Sequence, residues 1–318
     1  MAVTAGRVLV LRALGLGDLL TAVPALRALR RGLPGARITL AAPAVLAPPA
    51  RASGAVDEVL PADGLDAPLR AAGPVDVAVN LHGSGPQSHR LLAALSPGRL
   101  LAFDHPAAPH TGGPGWDPGE HEVARWCRLV ASYGFDADPG DLDLPVPAAA
   151  SPAPGAVVVH PGAAFPARRW PAERFAAVAA ALRDRGERVV VTGGPGERPL
   201  ARRVADLAGL GPAADLSGRT PLPELAALVA AARLVVCGDT GVAHLATAFR
   251  TPSVLLFGPT PPGRWGPPRR PEHRVLWAGR HGDPHGRAPC PGLLEISADQ
   301  AVEAAGTVLT LVSSHENR

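Results

Sequence analysis

A chain of 318 residues with a 47% hydrophobic share is too long for one ordinary core, so two domains of roughly 150 residues are expected. All 31 basic residues are arginine, which excludes a Walker phosphate loop, a pyridoxal enzyme and a Schiff-base aldolase, since each needs a lysine. The net charge of +3 is spread along the chain and aromatics are only 4%, so nucleic acid is not expected as a partner.

The first half alternates short aliphatic runs with amphipathic stretches. RVLVLRA from Arg7 reads as a strand and LLTAVPALRALRRG as a helix, and further strand-like runs follow in ARITLAAP from Ala36, VDEVL, VDVAVNLHG from Val75 and RLLAFD. A helix is expected from Glu120 to Tyr133. The composition then shifts to DADPGDLDLPVPAAASPAPG, which has no apolar period and reads as an interdomain linker. The second half restarts the same grammar: AVVVHPG from Ala156, helix PAERFAAVAAALRDRG, strand ERVVVTGG, helices PGERPLARRVADLAG and PLPELAALVAAA, strand RLVVCGD, helix VAHLATAFR and strand SVLLFGP. Two Rossmann-like α/β domains follow, residues 1–150 and 151–318, with a last helix from Ser297 offered as a packing element for the first domain. Residues 265–294 read as loop.

Three scattered cysteines, Cys127, Cys237 and Cys290, exclude a disulfide framework and fit a reducing compartment. No apolar run approaches the ~20 residues needed to span a bilayer, and polar and glycine breaks interrupt the first residues where a signal peptide would be apolar. A cytoplasmic protein is the expectation.

In open α/β domains ligands bind outside the carboxyl ends of the strands, so the strand-to-helix loops carry the functional candidates. The loop Leu14-Gly15-Leu16-Gly17-Asp18 leaves the first strand. Asp18 is either an N-cap or a carboxylate presented to a ligand by the two-glycine turn. Leu20 stands where a dinucleotide fingerprint has its third glycine. The loop from His160 to Pro171 holds Gly162, Ala163, Arg168 and Arg169, and is suited to a diphosphate, the alternative being a solvated arginine pair. Thr192 to Glu197 is either a plain turn or a nucleoside contact with Glu197 on ribose hydroxyls. In the segment Gly238-Asp239-Thr240-Gly241 a strand ends and a helix starts at once, which makes an anion site, with His244 one turn further on and able to face the same ligand.

Other patterns carry less. His281 and His285 are spaced for a helical metal pair, but Gly282 and Pro284 argue against the helix. Ser84 lies between two glycines, yet His82 occupies the first position of a nucleophile elbow. The D-x-D triplets at Asp136 to Asp138 and Asp141 to Asp143 fall in the proline-rich linker and read as solvated charge. No metal site is expected.

The segments GLGDLLTAVPALRALRR, LHGSG, HPGAAFPARRWP, VTGGPGE and CGDTGVAHLATAF followed by PSVLLFGPT resemble glycosyltransferase family 9, the lipopolysaccharide heptosyltransferases among them, over most of residues 7–260. The resemblance implies a GT-B fold, a nucleotide diphosphate sugar such as ADP-heptose held by the C-terminal domain, an acceptor hydroxyl on the N-terminal domain, no cofactor and no metal. It implies Asp18 as the catalytic base. It implies Gly162, Ala163, Arg168, Glu197, Asp239, Thr240, Gly241 and His244 as donor-binding residues, with Gly17, His82 and Ser84 as acceptor-side candidates. Arg168 stands where the family commonly has lysine, and Gly162 and Ala163 stand where hydroxyl residues often meet phosphate. The implied activity is an inverting, metal-independent transfer onto a glycan, glycolipid or secondary metabolite, with peripheral membrane contact if the acceptor is a lipid. Two other functions share the fold and pocket: a sugar-nucleotide epimerase or isomerase, and a non-catalytic nucleotide-sugar-binding protein.

Overall fold

The computed structural model describes residues 6–108, 110 and 112–316, with side chains of the last helix described to residue 311. The chain divides into two compact units, Met1–Pro145 and Val146–Arg318.

In the first unit five parallel strands, β1 (Arg7–Leu11), β2 (Arg37–Ala42), β3 (Glu58–Pro61), β4 (Val77–Asn80) and β5 (Arg99–Leu101), lie in the order β3-β2-β1-β4-β5. The continuous runs Val8–Leu11 and Val77–Asn80 are buried throughout, as expected of strands covered on both faces. Helices α1 (Leu16–Thr21), α2 (Val23–Gly32), α3 (Ala47–Ala52), α4 (Gln87–Ala93) and α5 (Glu122–Ser132) surround the sheet. The sequence reads α1 and α2 as one helix, but the chain breaks at Ala22. Pro24 has no N–H to donate and its ring clashes with the preceding turn, so it is tolerated only in the first turn of a new helix.

The segment after α5 is not a solvated tether. Arg27 on α2 donates to the carbonyls of Asp141 at 3.1 Å and Asp143 at 2.8 Å, and its guanidinium also pairs with the Asp141 carboxylate, as does Arg31 at 3.0 Å. Those aspartates therefore staple the segment to α2, where the sequence alone suggested free charge.

The second unit repeats the plan with β6 (Val157–His160), β7 (Val189–Val191), β8 (Leu234–Gly238), β9 (Ser253–Phe257) and β10 (His273–Trp277), in the order β10-β9-β8-β6-β7, all parallel. Its helices are α6 (Ala172–Asp184), α7 (Arg198–Leu207), α8 (Leu222–Ala230), α9 (Gly241–Ala248), α10 (Pro262–Trp265), α11 (Pro291–Glu295) and α12 (Ala298–Glu316). The α12 helix, which the sequence reading offered to the first domain, packs on α6 and the β8–β10 side of its own unit, burying Ala301, Ala305 and Val308 in the core with Trp170 and Phe175. The Ser297 hydroxyl and the Gln300 side chain cap its start reciprocally, each accepting from the other's backbone N–H.

Both sheets have a switch point, where the connections leave a central strand in opposite directions. It falls between β1 and β4 in the first unit and between β6 and β8 in the second. The crevices at these points, outside the carboxyl ends of the strands, are where such folds bind ligands.

Candidate functional site

At the first switch point the residue after β1 is Arg12, only 1% exposed. Its Nε donates to the Asp18 carbonyl at 2.8 Å, and one terminal nitrogen donates to the Leu81 carbonyl just past β4, so a single guanidinium ties the two strand ends together. The other terminal nitrogen donates to Thr21 Oγ1 at 3.2 Å and to Glu122 Oε1 at 3.0 Å, and stands 3.6 Å from Asp18 Oδ1.

Asp18 is not an N-cap. Gly15 holds that position, and Asp18 is the third residue of α1, its Oδ2 accepting from the Gly15 N–H at 3.2 Å. The side chain keeps 29% exposure, so one edge of the carboxylate faces outward. Burial pushes its pKa above the ordinary value, opposed by the Arg12 charge and reinforced by Glu122. A carboxylate that is desolvated yet reachable is a better proton acceptor than a surface one. Gly17 lies in the same first turn, directly before Asp18.

Beyond β4 the Asn80 side chain, fully buried, shapes the loop: its Oδ1 accepts from the His82 N–H at 3.0 Å and its Nδ2 donates to Gly83 O at 3.3 Å and Ser88 Oγ at 2.9 Å. His82 Nδ1 is buried without a partner, and burial together with the Arg12 charge lowers its pKa to about 4, so it is a neutral imidazole at any physiological pH. Ser84 is half-buried in the same loop.

At the second switch point His160 lies opposite Cys237 in the β6–β8 register. A Cβ on Gly238 would come 3.2 Å from the Arg168 carbonyl, so the two loops approach as closely as glycine allows. The α9 helix begins at once. Thr240 is its N-cap in extended conformation and makes no side-chain cap bond, so its hydroxyl stays available beside the positive helix end. Asp239 is buried at 6% exposure, and the His244 ring meets Trp265 on α10 edge-on at 5.9 Å.

The two loops that sequence reading assigned to diphosphate and nucleoside meet through Glu197. Its Oε2 accepts from the Gly194 N–H at 2.7 Å and lies 4.0 Å from His160 Nε2, while His160 Nδ1 is 3.0 Å from Thr192 Oγ1. Ala163 is buried, so only its backbone is presented; its carbonyl is held by Arg169 Nε at 2.9 Å. Arg169 therefore braces the loop. Arg168 spends Nε on the Pro284 carbonyl at 3.3 Å, with its guanidinium 5.7 Å from the Phe165 ring.

Residues 265–294, which read as loop from the sequence, hold β10 and most of α11, because partners distant in sequence order them, and the segment supports the site. Gly286 O accepts from the Ala167 N–H at 3.1 Å, the Cys290 N–H donates to Ala167 O at 3.1 Å, and His285 packs edge-on to Phe165 at 4.6 Å between centroids. His281 instead packs on Trp277, so the two histidines serve different neighbours. No group of three metal-ligating side chains occurs among the described residues, and no helix among them is long and apolar enough to cross a membrane. Of the missed residues, Arg12 and Asn80 had one available signal, since each is a polar side chain at or directly after the end of a strand, while Trp265 had none.

Comparison with known proteins bears on the fold and the family. The lipopolysaccharide heptosyltransferase 1 of Pseudomonas aeruginosa is 38% identical over 152 residues, 46% of this chain and 42% of that protein. The first curated relatives are matched over only 33% to 42% of their length. Among solved structures, the glycosyl transferase family 9 protein of Veillonella parvula superposes with a TM-score of 0.77 at 22% identity, covering 98% of this chain and 99% of that one. The iron-containing heptosyltransferase TibC of Escherichia coli, solved with ADP-D-β-D-heptose, superposes with a TM-score of 0.64 at 16% identity over 96% of this chain and 76% of that one. The fold is thus GT-B, two Rossmann-like α/β domains. A profile described as glycosyltransferase family 9 (heptosyltransferase) matches residues 116–292, more than half of the chain and all four second-unit loops described above; the chain belongs to glycosyltransferase family 9.

Proposed function

We propose that this protein is a glycosyltransferase that moves a heptose-class sugar from a nucleotide diphosphate donor, ADP-heptose or a close relative, to an acceptor hydroxyl, with inversion and without a metal. The observation that carries the reading is Asp18: a carboxylate with a raised pKa and an open edge, at the switch point of the first unit. Family membership and the heptosyltransferase names of the relatives support the donor class.

The chemistry follows from charge. As the bond from the anomeric carbon to the diphosphate oxygen breaks, its electron pair leaves with the diphosphate and the sugar carbon becomes positive. Arg168 and the Thr240–Gly241 start of α9 meet the growing negative charge. The acceptor oxygen bonds to the anomeric carbon from the opposite face while its proton passes to Asp18, which is a single inverting displacement. Gly162, Ala163, Glu197, Asp239 and His244 hold the donor; Gly17, His82 and Ser84 border the acceptor. The acceptor is a glycan, glycolipid or secondary metabolite, reached without a spanning helix. Three free, buried cysteines suit a reducing cytoplasmic setting.

The test is release of ADP from ADP-heptose with and without de-acylated lipopolysaccharide core oligosaccharide, alongside binding of ADP-heptose followed by thermal shift. Acceptor-dependent release supports the reading. Failure of ADP-heptose and other ADP-sugars to raise the melting temperature would refute it, and isomerisation of the donor without release would favour an epimerase.

A further inference from the structure

The base proposed above sits against an unusually charged interior. Two arginines, Arg12 and Arg125, are 1% and 3% exposed, and Glu122, 5% exposed, lies between them. Glu122 Oε1 accepts from Arg12 Nη2 at 3.0 Å and from Trp126 Nε1 at 2.9 Å, and its Oε2 accepts from Arg125. Arg125 is anchored by donation to the carbonyls of Asp117 at 3.0 Å and Glu120 at 2.9 Å. Aromatic faces close the sides, with Arg12 over Trp126 at 4.6 Å and Arg125 over Trp116 at 4.3 Å. Every polar oxygen of Glu122 is committed, and the group is charge-neutral only if Asp18 is counted with it.

A buried guanidinium beside a base is awkward. An opposite charge within ~4–6 Å favours the ionised carboxylate and weakens it as a proton acceptor. Yet Arg12 is the residue that ties Asp18's turn to the end of β4, so the fold needs it there. The distances show how the conflict is resolved: Arg12 Nη2 is 3.0 Å from Glu122 and 3.6 Å from Asp18. Resting on the glycosyltransferase reading, we propose that Glu122 is a positioning residue: it takes up the Arg12 guanidinium, so that Arg12 holds the Asp18 turn by its backbone without closing to a hydrogen-bonded ion pair with the Asp18 carboxylate.

The charged and titratable groups facing Asp18 are Arg12 from the end of β1 and Glu122 from α5; His82 from the loop after β4 feels Arg12, and Arg125 faces Glu122. On this account Glu122→Gln frees Arg12 to close on Asp18, whose pKa falls. The double variant Arg12→Met/Glu122→Gln removes both influences, and because Arg12 acts on Asp18 more strongly than Glu122 does, its pKa rises above that of the wild type.

The deciding experiment is a carbon-detected NMR titration of protein labelled with carboxyl-13C aspartate, with Asp18→Asn used to assign the resonance, read for the wild type, Glu122→Gln and the double variant. Opposite shifts, down in the single and up in the double, are expected. If the single variant does not fold, Arg12→Met read against the double variant decides: with Arg12 gone, adding Glu122→Gln should move the Asp18 midpoint little, and a large further shift would mean that Glu122 does not act through Arg12. An unmoved Asp18 midpoint in the folded variants, or an upward shift in Glu122→Gln, overturns the proposal. This readout needs no substrate, so it stands apart from the fate of the functional reading, which falls instead if Asp18→Asn transfers sugar at the wild-type rate. In turnover, Glu122→Gln should lower kcat about tenfold with the donor KM kept, short of the ~10²- to 10⁴-fold loss expected on removing a general base.

Discussion

The Glu197 carboxylate occupies the space that a side chain at position 162 would take: a Cβ built on Gly162 overlaps it. The constraint comes from that neighbour and not from the glycine's own backbone, and it falls on the flexible end of Glu197, through which the loops after β6 and β7 meet.

Gly162→Ala should displace Glu197 from the Gly194 N–H and loosen that junction. Core overpacking costs about 1–3 kcal/mol, and since Glu197 can swing aside the cost here falls at or below the lower end of that range. The expected outcome is weaker ADP-heptose binding with a modest fall in melting temperature. Adding Glu197→Ala removes the overlap, so a double-mutant cycle on melting temperature should show the stability cost largely relieved. Additive costs would mean that the loops move apart freely.

Arg168 donates Nε to the Pro284 carbonyl, and on the proposed reading its terminal nitrogens meet the diphosphate. A charge-assisted contact contributes about 1.5–3 kcal/mol, so Arg168→Ala should lower kcat/KM for the donor by roughly 10- to 100-fold, with both kcat and KM affected. Arg168→Lys keeps a point charge and should recover part of the loss. Unchanged kinetics would return Arg168 to being a surface arginine held by Pro284.

On the proposed reading Arg168 and the start of α9 meet the leaving diphosphate, so transfer should proceed undiminished in a chelator such as EDTA, measured as acceptor-dependent ADP release. A strict requirement for an added metal ion would overturn the metal-free mechanism and direct attention to the iron of the TibC relative.

What the sequence disclosed and what it withheld divide along a physical line. Loops such as Gly238 to Gly241 are legible because strand, turn and helix start lie within a few residues, and local backbone chemistry decides them. The same holds for nine of the ten parallel strands, which short aliphatic runs announce, whereas β10 (His273–Trp277) lies in a stretch that reads as loop. Arg12 with Glu122 is different: the partners are 110 residues apart, and nothing in LVLRALG or in EVARWC says that they meet. The 280–290 segment was silent for the same reason, since it is irregular chain whose order comes from Ala167, 120 residues earlier. The linker aspartates misled because charge in a proline-rich stretch looks solvated until Arg27 and Arg31 are placed beside it.

Acid should destabilise both units. Burial, aided by Arg12, lowers His82 to about 4 in the first, and burial, opposed by Glu272, lowers His273 to about 4 in the second, where Nδ1 is 2.8 Å from Ser253 Oγ and Nε2 is buried without a partner. A histidine held neutral in the fold takes up its proton near pH 6.5 once unfolded. The stability it supports is therefore full above that value and is lost as pH falls from 6.5 toward about 4. Melting curves across that window should show a steady decline that His273→Gln flattens. A decline untouched by this substitution would assign the acid sensitivity to other groups.

Asp18 tests the opposite sign and the catalytic reading together. Its folded pKa is raised, chiefly by burial, so the folded protein holds the proton more tightly than the unfolded chain does. Stability is then lost as pH rises from the ordinary carboxylate value through the folded pKa, and above it the cost of the buried charge is present in full. Asparagine keeps the shape and can still accept from the Gly15 N–H, but carries no charge and cannot take a proton. At neutral pH Asp18→Asn should therefore melt no lower than the wild type, and higher if Arg12 remains satisfied by Glu122 and Leu81, while turnover falls by about 10²- to 10⁴-fold and ADP-heptose affinity is kept. Melting curves, donor binding and acceptor-dependent ADP release on this one variant separate the possibilities. A structural carboxylate would lose stability and keep its rate; a base loses its rate and keeps its stability, so near-wild-type turnover would remove Asp18 from the mechanism while leaving the fold and the second-unit loops as they are.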